Sequence, residues 1–182
     1  MAPEYSFDNR NIRWQRLGDL KHFVFYVFGV DSAKGVVDFI LKFEPNQRII
    51  LHRHLALTNT FVVQGEHRLY EPDGKLKEIR PVGSYTSSPP GEPHSEGGGD
   101  QELVVFYSVR GKTGVLFEVL DDDRNIVGTL STRDFMEAWE EQKKAALVGE
   151  RFLAKHFECQ AYPSGRVRSS RTGRLPRISG KT

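Results

Sequence analysis

The sequence predicts an all-β domain, a sandwich or barrel of short strands, with one or two helices at its C-terminal end. Between residues 21 and 130 the apolar segments are short and rich in β-branched and aromatic residues, and turn sequences separate them. Many short strands at this spacing are typical of sandwiches and barrels. Beyond residue 130 the apolar residues recur at helical spacing instead.

The first strand candidate, Phe23–Phe28, is apolar at both parities, which predicts a strand covered on both faces. The second, Val37–Lys42, alternates apolar residues with others as a strand does. Turn sequences such as Pro72-Asp73-Gly74 separate most of the later segments. The remaining predicted strands are Arg48–Leu51, Phe61–Val63, His67–Tyr70, Leu76–Ile79, Ser84–Thr86, Leu103–Val109 and Val115–Leu120.

A helix is predicted to begin at the capping box Ser131-Thr132-Arg133-Asp134. The side chains that repeat at helical spacing after it are Phe135, Ala138, Trp139 and Gln142. A second short helix is predicted over Glu150–Phe157, before Pro163-Ser164-Gly165 breaks the chain. The predicted organisation is an N-terminal arm (1–20), a β-barrel (21–130), a helical extension (131–162) and a basic flexible tail (163–182).

Composition excludes several classes of protein. The 182 residues are 38% hydrophobic and 27% charged, which suits a single soluble domain. No apolar run reaches the ~18 residues of a membrane span, and the N-terminus has no signal-peptide core. We therefore predict a cytoplasmic protein without membrane contact. The single Cys159 excludes an intrachain disulfide and a thiolate zinc cluster; it follows the apparent core, and we do not expect a nucleophile there.

The tail from Gly165 onward carries six of the 26 basic residues and no acid. Such an excess of charge can contact nucleic acid or an acidic lipid surface. Because no aromatic residue is interleaved to stack on bases, we favour a solvated extension and do not expect a nucleic-acid partner.

The triplet His52-Arg53-His54 follows the apolar run Ile49–Leu51. In a continuing strand, residues two apart point to the same face, so both imidazoles would lie within reach of one metal ion. Such a triplet alone is more often surface chemistry. Its surroundings favour a site: Gly65 lies at a predicted turn, and Gly83 is followed after five residues by Pro89-Pro90-Gly91-Glu92-Pro93-His94.

These two segments together resemble the paired motifs of the cupin superfamily, over about residues 35–110. The resemblance implies a cupin-type double-stranded β-helix (jelly-roll) barrel. It also implies a divalent metal on His52 and His54, in a first motif closed by Gly65, and on His94 in the second.

Three positions depart from the common cupin pattern. Asn46 stands for a glycine and Gly98 for an asparagine, both at turn or packing positions. Thr58 stands where most cupins have a glutamate ligand. Because a hydroxyl is a poor ligand for a divalent ion, the motif predicts a three-histidine site.

A three-histidine site is similar to that of acetylacetone-cleaving and 2,4'-dihydroxyacetophenone dioxygenase-like (ChrR-like) cupins. The spacing from His54 to His94, the pair Trp14-Gln15 and the stretch Asp122–Gly128 before a helix with Glu137-Ala138-Trp139 are also similar to that branch. The likeness implies non-haem Fe(II), dioxygen as co-substrate, and cleavage of a C–C bond in a small diketone or hydroxyketone. Imidazole ligands also suit Zn(II) and Ni(II).

Three neutral imidazoles leave the metal ion its full double charge, which favours an anionic enolate. In an octahedral site they also leave three coordination positions open. Further candidates for proton transfer or ligation are Glu92, Glu96, Glu102 and Tyr107. His22, His67 and His156 lie outside both motifs, and we expect structural or surface roles for them.

Two other functions remain open, because the fold alone does not fix the function. One is a non-catalytic metal- or ligand-binding module resembling the ChrR sensory domain, although no helical sigma-binding domain is recognisable here. The other is a non-redox zinc or manganese cupin such as an isomerase. We also predict a homodimer or homotetramer, since one face of Phe23–Phe28 is available to a partner subunit. The alternative is that the N-terminal arm or the C-terminal helix covers this face.

Overall fold

The computed structural model of the protein describes residues 6–111 and 114–157, the last eleven of them as backbone alone. The chain divides into two compact units, Met1–Ala146 and Leu147–Thr182. The elements in chain order are β1 Phe23–Asp31, β2 Val36–Phe43, β3 His52–His54, β4 Leu57–Gln64, β5 Glu66–Tyr70, β6 Leu76–Pro81, β7 Tyr85–Ser88, β8 Ser95–Gly98, β9 Leu103–Arg110, β10 Val115–Leu120, β11 Ile126–Ser131 and α1 Thr132–Phe157.

The strands form three antiparallel sheets. The largest has the order β1-β2-β9-β4-β7, and the two smaller sheets have the orders β11-β10-β3 and β6-β5-β8. The buried face of the large sheet packs against the smaller ones: Phe39 contacts Phe117 of β10, and Phe43 contacts His67 of β5. The predicted all-β fold with a C-terminal helix is confirmed, and its core lies between these sheets.

Several predicted element bounds are wrong. The strand predicted at Arg48–Leu51 begins later in the structure, as β3 at His52. Within the predicted range, Arg48 makes only an isolated bridge to Gly97. Strand β11, a largely exposed edge strand, has no counterpart among the predicted strands. The segment Glu150–Phe157 is not a second helix, because α1 runs through it without a break.

The helix is fixed at its start and along one face. Asp134 accepts hydrogen bonds from the backbone N–H and the hydroxyl of Ser131, both at 2.6 Å, as the predicted capping box requires. Phe135 is buried against Phe39, with ring centroids 4.9 Å apart. The buried amide of Gln142 donates to the carbonyl of Val27 and accepts from its N–H, both at 2.9 Å. This amide therefore satisfies the backbone of the edge strand β1.

The outer face of the large sheet carries a row of apolar side chains. Residues paired across all five strands form this outer row: Tyr26, Ile40, Phe106, Phe61 and Tyr85. Within it Phe61 is 42% and Tyr85 64% exposed, and neighbouring Phe28 is 46% exposed. Within the single chain only the face of Phe23–Phe28 with Phe23, Phe25 and Val27 is fully buried, so cover of the second face by a partner subunit stays a prediction.

Some predictions fall on residues outside the described ranges. These are the lone Cys159, the basic tail and the side chain of His156. Across residues 6–111 and 114–157, no helix is long and apolar enough to cross a membrane.

Candidate metal centre

Backbone pairing brings the three predicted histidines together. Strand β3 pairs with β10, with His54 opposite Phe117 and His52 opposite Val119. On its other side, His52 exchanges two backbone hydrogen bonds with His94, of 3.0 and 2.9 Å. Residues 52 and 54 share a face because strand side chains alternate. The exchange with His52 places His94 beside that face.

The three imidazoles form a compact triangle. Their ring centroids lie 4.6 Å apart for His52 and His94, 4.9 Å for His54 and His94, and 5.2 Å for His52 and His54. Their ligand atoms all lie within 4.8 Å of one another, so the group can hold a metal ion. His52 and His54 are buried, and His94 is half-buried.

Each imidazole is held by an acceptor at its Nδ1. The acceptors are the Ile50 carbonyl for His52 at 3.0 Å, the Thr58 hydroxyl for His54 at 3.0 Å, and the Glu92 carbonyl for His94 at 3.1 Å. The Thr58 hydroxyl donates its own proton to the Ala56 carbonyl at 3.1 Å, so it must accept from His54. Every Nδ1 therefore carries the proton, and every Nε2 presents a lone pair.

The lone pairs of His52 and His54 face each other, with 3.2 Å between the two Nε2 atoms. Two such atoms repel unless a cation lies between them. Two ligand atoms bound to one ion at about 2.1 Å are separated by roughly 3.0–3.4 Å for octahedral to tetrahedral angles. The spacing and the neutral nitrogen donors thus fit a divalent transition ion.

The environment keeps these imidazoles neutral. Burial lowers the pKa of His52, and the charge of Glu96 only partly offsets this. Burial also lowers the pKa of His54 well below its usual value, and the neighbouring His52 adds to the effect. Because only a neutral imidazole has a lone pair for a metal, both shifts favour ligation.

A buried carboxylate lies beside the triangle. Glu96 is 3% exposed, and one of its oxygens, Oε1, lies 3.5 Å from His52 Nε2. The other oxygen, Oε2, accepts hydrogen bonds from His67 Nε2 at 2.6 Å and from the Tyr107 hydroxyl at 3.0 Å. Burial alone would raise the pKa of Glu96, but the hydrogen bond from His67 holds this pKa well below its usual range. Burial and the Glu96 charge raise the pKa of Tyr107.

The sequence candidates therefore separate into two groups. Glu96 and Tyr107, two of the sequence candidates, lie beside the centre and bond each other. Glu102 lies elsewhere, with its Oε2 3.3 Å from Lys42 Nζ. Glu92 is an exposed turn residue whose backbone carbonyl, not its carboxylate, touches His94. His67, for which a structural or surface role was expected, is 1% exposed and bonded to Glu96, so it is a buried structural histidine beside the centre. His22 pairs with Glu44 at 2.9 Å, outside the centre.

Two positions of the first motif have a backbone explanation. Asn46 has φ +54°, a left-handed conformation that asparagine tolerates better than most residues, so it can stand for glycine. Gly65 has φ +75°, and a Cβ there would lie 2.6 Å from the Glu102 carbonyl oxygen. This turn therefore requires glycine.

Two cavities meet at the centre. The first, of about 80 Å³, is almost wholly apolar and reaches His52, Glu96 and Tyr107. Its apolar wall is built by the N-terminal arm, the strands and α1, and includes Leu17, Leu20, Phe39, Phe117 and Phe135. The second, of about 250 Å³, is more polar and opens past His54, His94 and the turn at Pro89. The centre thus has a dry side and a solvent side.

Comparison with known proteins agrees with the motifs. Residues 3–113 match the model of the ChrR cupin-like domain. An RmlC-like cupin protein from Ralstonia eutropha JMP134 superposes with a TM-score of 0.61 at 20% identity, covering 72% of this chain and 82% of the other. An acetylacetone dioxygenase from Acinetobacter johnsonii superposes with a TM-score of 0.59 at 13% identity, covering 78% and 93%. No curated protein sequence matches the chain significantly.

Proposed function

The chain belongs to the ChrR cupin-like domain family, and we propose that it is a non-haem iron(II) dioxygenase that cleaves a C–C bond of a small diketone or hydroxyketone. One observation carries this proposal: three imidazoles with fixed Nδ1–H groups direct their Nε2 atoms to one point beside an apolar cavity. At this point, bound iron(II) would supply Lewis acidity toward the two oxygens of an enolate and an electron path to dioxygen.

The protein itself would orient the metal ligands and keep water away from the substrate. The acceptors at Ile50, Thr58 and Glu92 hold the rings in one orientation, so the ligand atoms need no rearrangement before binding. The apolar wall with Phe39, Phe117 and Phe135 would take the alkyl or aryl substituents of the substrate and exclude water. A cavity of about 80 Å³ suits a small substituent.

The likeness to an acetylacetone dioxygenase is consistent with this substrate class. At 13% identity it is evidence for the fold and not for the substrate. The family match favours a second candidate function, a metal- or ligand-binding module without turnover. In that case the same centre would hold an ion, and the apolar cavity would bind a ligand unchanged.

We also propose that the outer row is an interface between copies of this chain. Exposed aromatic side chains such as Phe28, Phe61 and Tyr85 on one sheet face are typical of a surface that a partner covers.

The test uses the full chain loaded anaerobically with iron(II). Oxygen uptake with acetylacetone or a hydroxyaryl ketone, together with recovery of the two cleaved fragments, is the expected result. His94→Ala should abolish iron retention and oxygen uptake together. An iron-loaded protein that consumes no oxygen across a broad panel of diketones and hydroxyketones would refute the enzyme and favour the binding module.

A further inference from the structure

We propose that Glu96 is a fourth protein ligand of the metal centre, binding through Oε1, and that it supplies the carboxylate that the first motif lacks at Thr58. The inference rests on the metal-binding part of the proposed function. It does not depend on turnover. Glu96 stands in the second motif, two residues after His94, and not on the strand where cupins usually carry this ligand.

The strand geometry places Glu96 correctly. His94 directly precedes β8, and Glu96 is its second residue. The two residues are two positions apart in extended chain, so their side chains share one face. This is the relation that His52 and His54 have on β3. Two strands thus each present two metal-ligating residue types to the same point.

Two measured distances agree with a shared ion. Glu96 Oε1 lies 3.5 Å from His52 Nε2, and His52 Nε2 lies 3.2 Å from His54 Nε2. Ligands of one ion at about 2.1 Å are expected roughly 3.0–3.4 Å apart, so Oε1 lies close to ligand spacing from His52. The ligand atoms that lie within 4.8 Å of one another are those of the three histidines, so the carboxylate must move toward His54 and His94 to bind the same ion.

The hydrogen bonds orient the carboxylate. Both hydrogen-bond donors around Glu96, the His67 ring N–H and the Tyr107 hydroxyl, bind Oε2. Oε1 is the atom turned toward the histidines, where His52 offers a lone pair and no proton, because its Nδ1 carries the hydrogen. A buried anionic oxygen facing a lone pair is unfavourable without a cation between them. His67 and Tyr107 are therefore positioning residues for this ligand.

The position of Thr58 explains why the carboxylate comes from elsewhere. Its side chain is 1% exposed and already committed to His54 and the Ala56 carbonyl. A carboxylate at Glu96 reduces the net charge of the centre from two positive charges to one, which complements a monoanionic chelating substrate.

The experiment measures metal binding in the full chain, with Zn(II) in competition with a chromophoric chelator and Co(II) for its visible spectrum. Four proteins are compared: wild type, Glu96→Gln, His94→Ala and the control Glu102→Gln, whose carboxylate pairs with Lys42 outside the centre. Glu96→Gln should weaken Zn(II) binding by about 100-fold or more, beyond the usual effect of an outer hydrogen-bonding partner. It should also change the Co(II) spectrum. Glu102→Gln should match wild type in both.

A second measurement needs no variant. In the Zn(II)-loaded wild type, X-ray absorption or a crystal structure should place Oε1 at about 2.0–2.2 Å from the ion. An Oε1 distance beyond about 3 Å would overturn the proposal, whatever the affinity of Glu96→Gln. An unchanged affinity and Co(II) spectrum in Glu96→Gln would do the same, while loss of binding in His94→Ala would leave the three-histidine centre standing. A wild type that binds no ion would refute both.

Discussion

Thr58→Val tests whether the Thr58 hydroxyl contributes to metal affinity separately from its contribution to the stability of the fold. Valine keeps the shape of threonine but removes the hydroxyl that accepts from His54 Nδ1 at 3.0 Å and donates to the Ala56 carbonyl. The site is 1% exposed, so water does not replace the lost partner. An unpaired buried donor costs about 1–3 kcal/mol of folding free energy. Loss of a ring-orienting partner lowers metal affinity by roughly 10–100-fold.

The assay pairs denaturant unfolding of the metal-free protein with Zn(II) affinity. Thr60→Val is the matched control, because Thr60 lies two residues along the same strand and bonds Thr86 at 2.6 Å, not a histidine. Both variants should lose stability of the order of 1 kcal/mol, but only Thr58→Val should lose metal affinity. Equal Zn(II) affinity in wild type and Thr58→Val would refute the reasoning that this hydroxyl fixes the His54 ring.

Three further predictions follow from the described contacts. Gln142→Leu should destabilise the fold by about 1–3 kcal/mol in denaturant unfolding, because it leaves both backbone groups of Val27 without their amide partner. The metal-free protein should keep its stability above about pH 6.5, the unfolded pKa of histidine, and lose it as the pH falls below that value. Burial lowers the pKa of His52 and His54, so the unfolded chain binds protons that the folded chain refuses. Phe61→Glu in the outer row should convert an oligomer to monomer in sedimentation velocity without loss of metal.

Each of these has a contradicting result. Unchanged stability of Gln142→Leu would show that the edge strand does not need the amide. A flat profile between pH 7 and pH 5 would show that the histidines take up protons freely in the fold. Val127→Glu, at a 58% exposed position outside the outer row, is the control for Phe61→Glu; a wild type that sediments only as monomer would refute the interface.

Part of the metal centre can be predicted from strand periodicity. The i, i+2 relation of His52 and His54 places two imidazoles on one face, and the resemblance to the cupin motifs adds His94. The structure brings all three together. Their role as ligands stays a prediction that metal analysis must test. Departure from the motif at Thr58 is also readable from the sequence as the absence of one carboxylate.

Other features depend on tertiary contacts that no local pattern encodes. His67 lies outside both motifs, and only the pairing of β5 with β8 brings it to Glu96. Gln142 follows the spacing of a buried helix face, yet its amide is buried because it bonds an edge strand far away in sequence. Strand β8 has a sequence that favours turns, and its pairing partner imposes the extended conformation.

Elemental analysis of the protein, purified without chelator, alongside its His94→Ala variant, tests the central claim most directly. The account predicts about one divalent transition ion per chain in the wild type and none in the variant. Iron as the bound ion, with oxygen uptake on addition of a diketone, would support the dioxygenase. A wild type free of transition metal that also fails to take up Fe(II), Zn(II) or Co(II) would contradict the account.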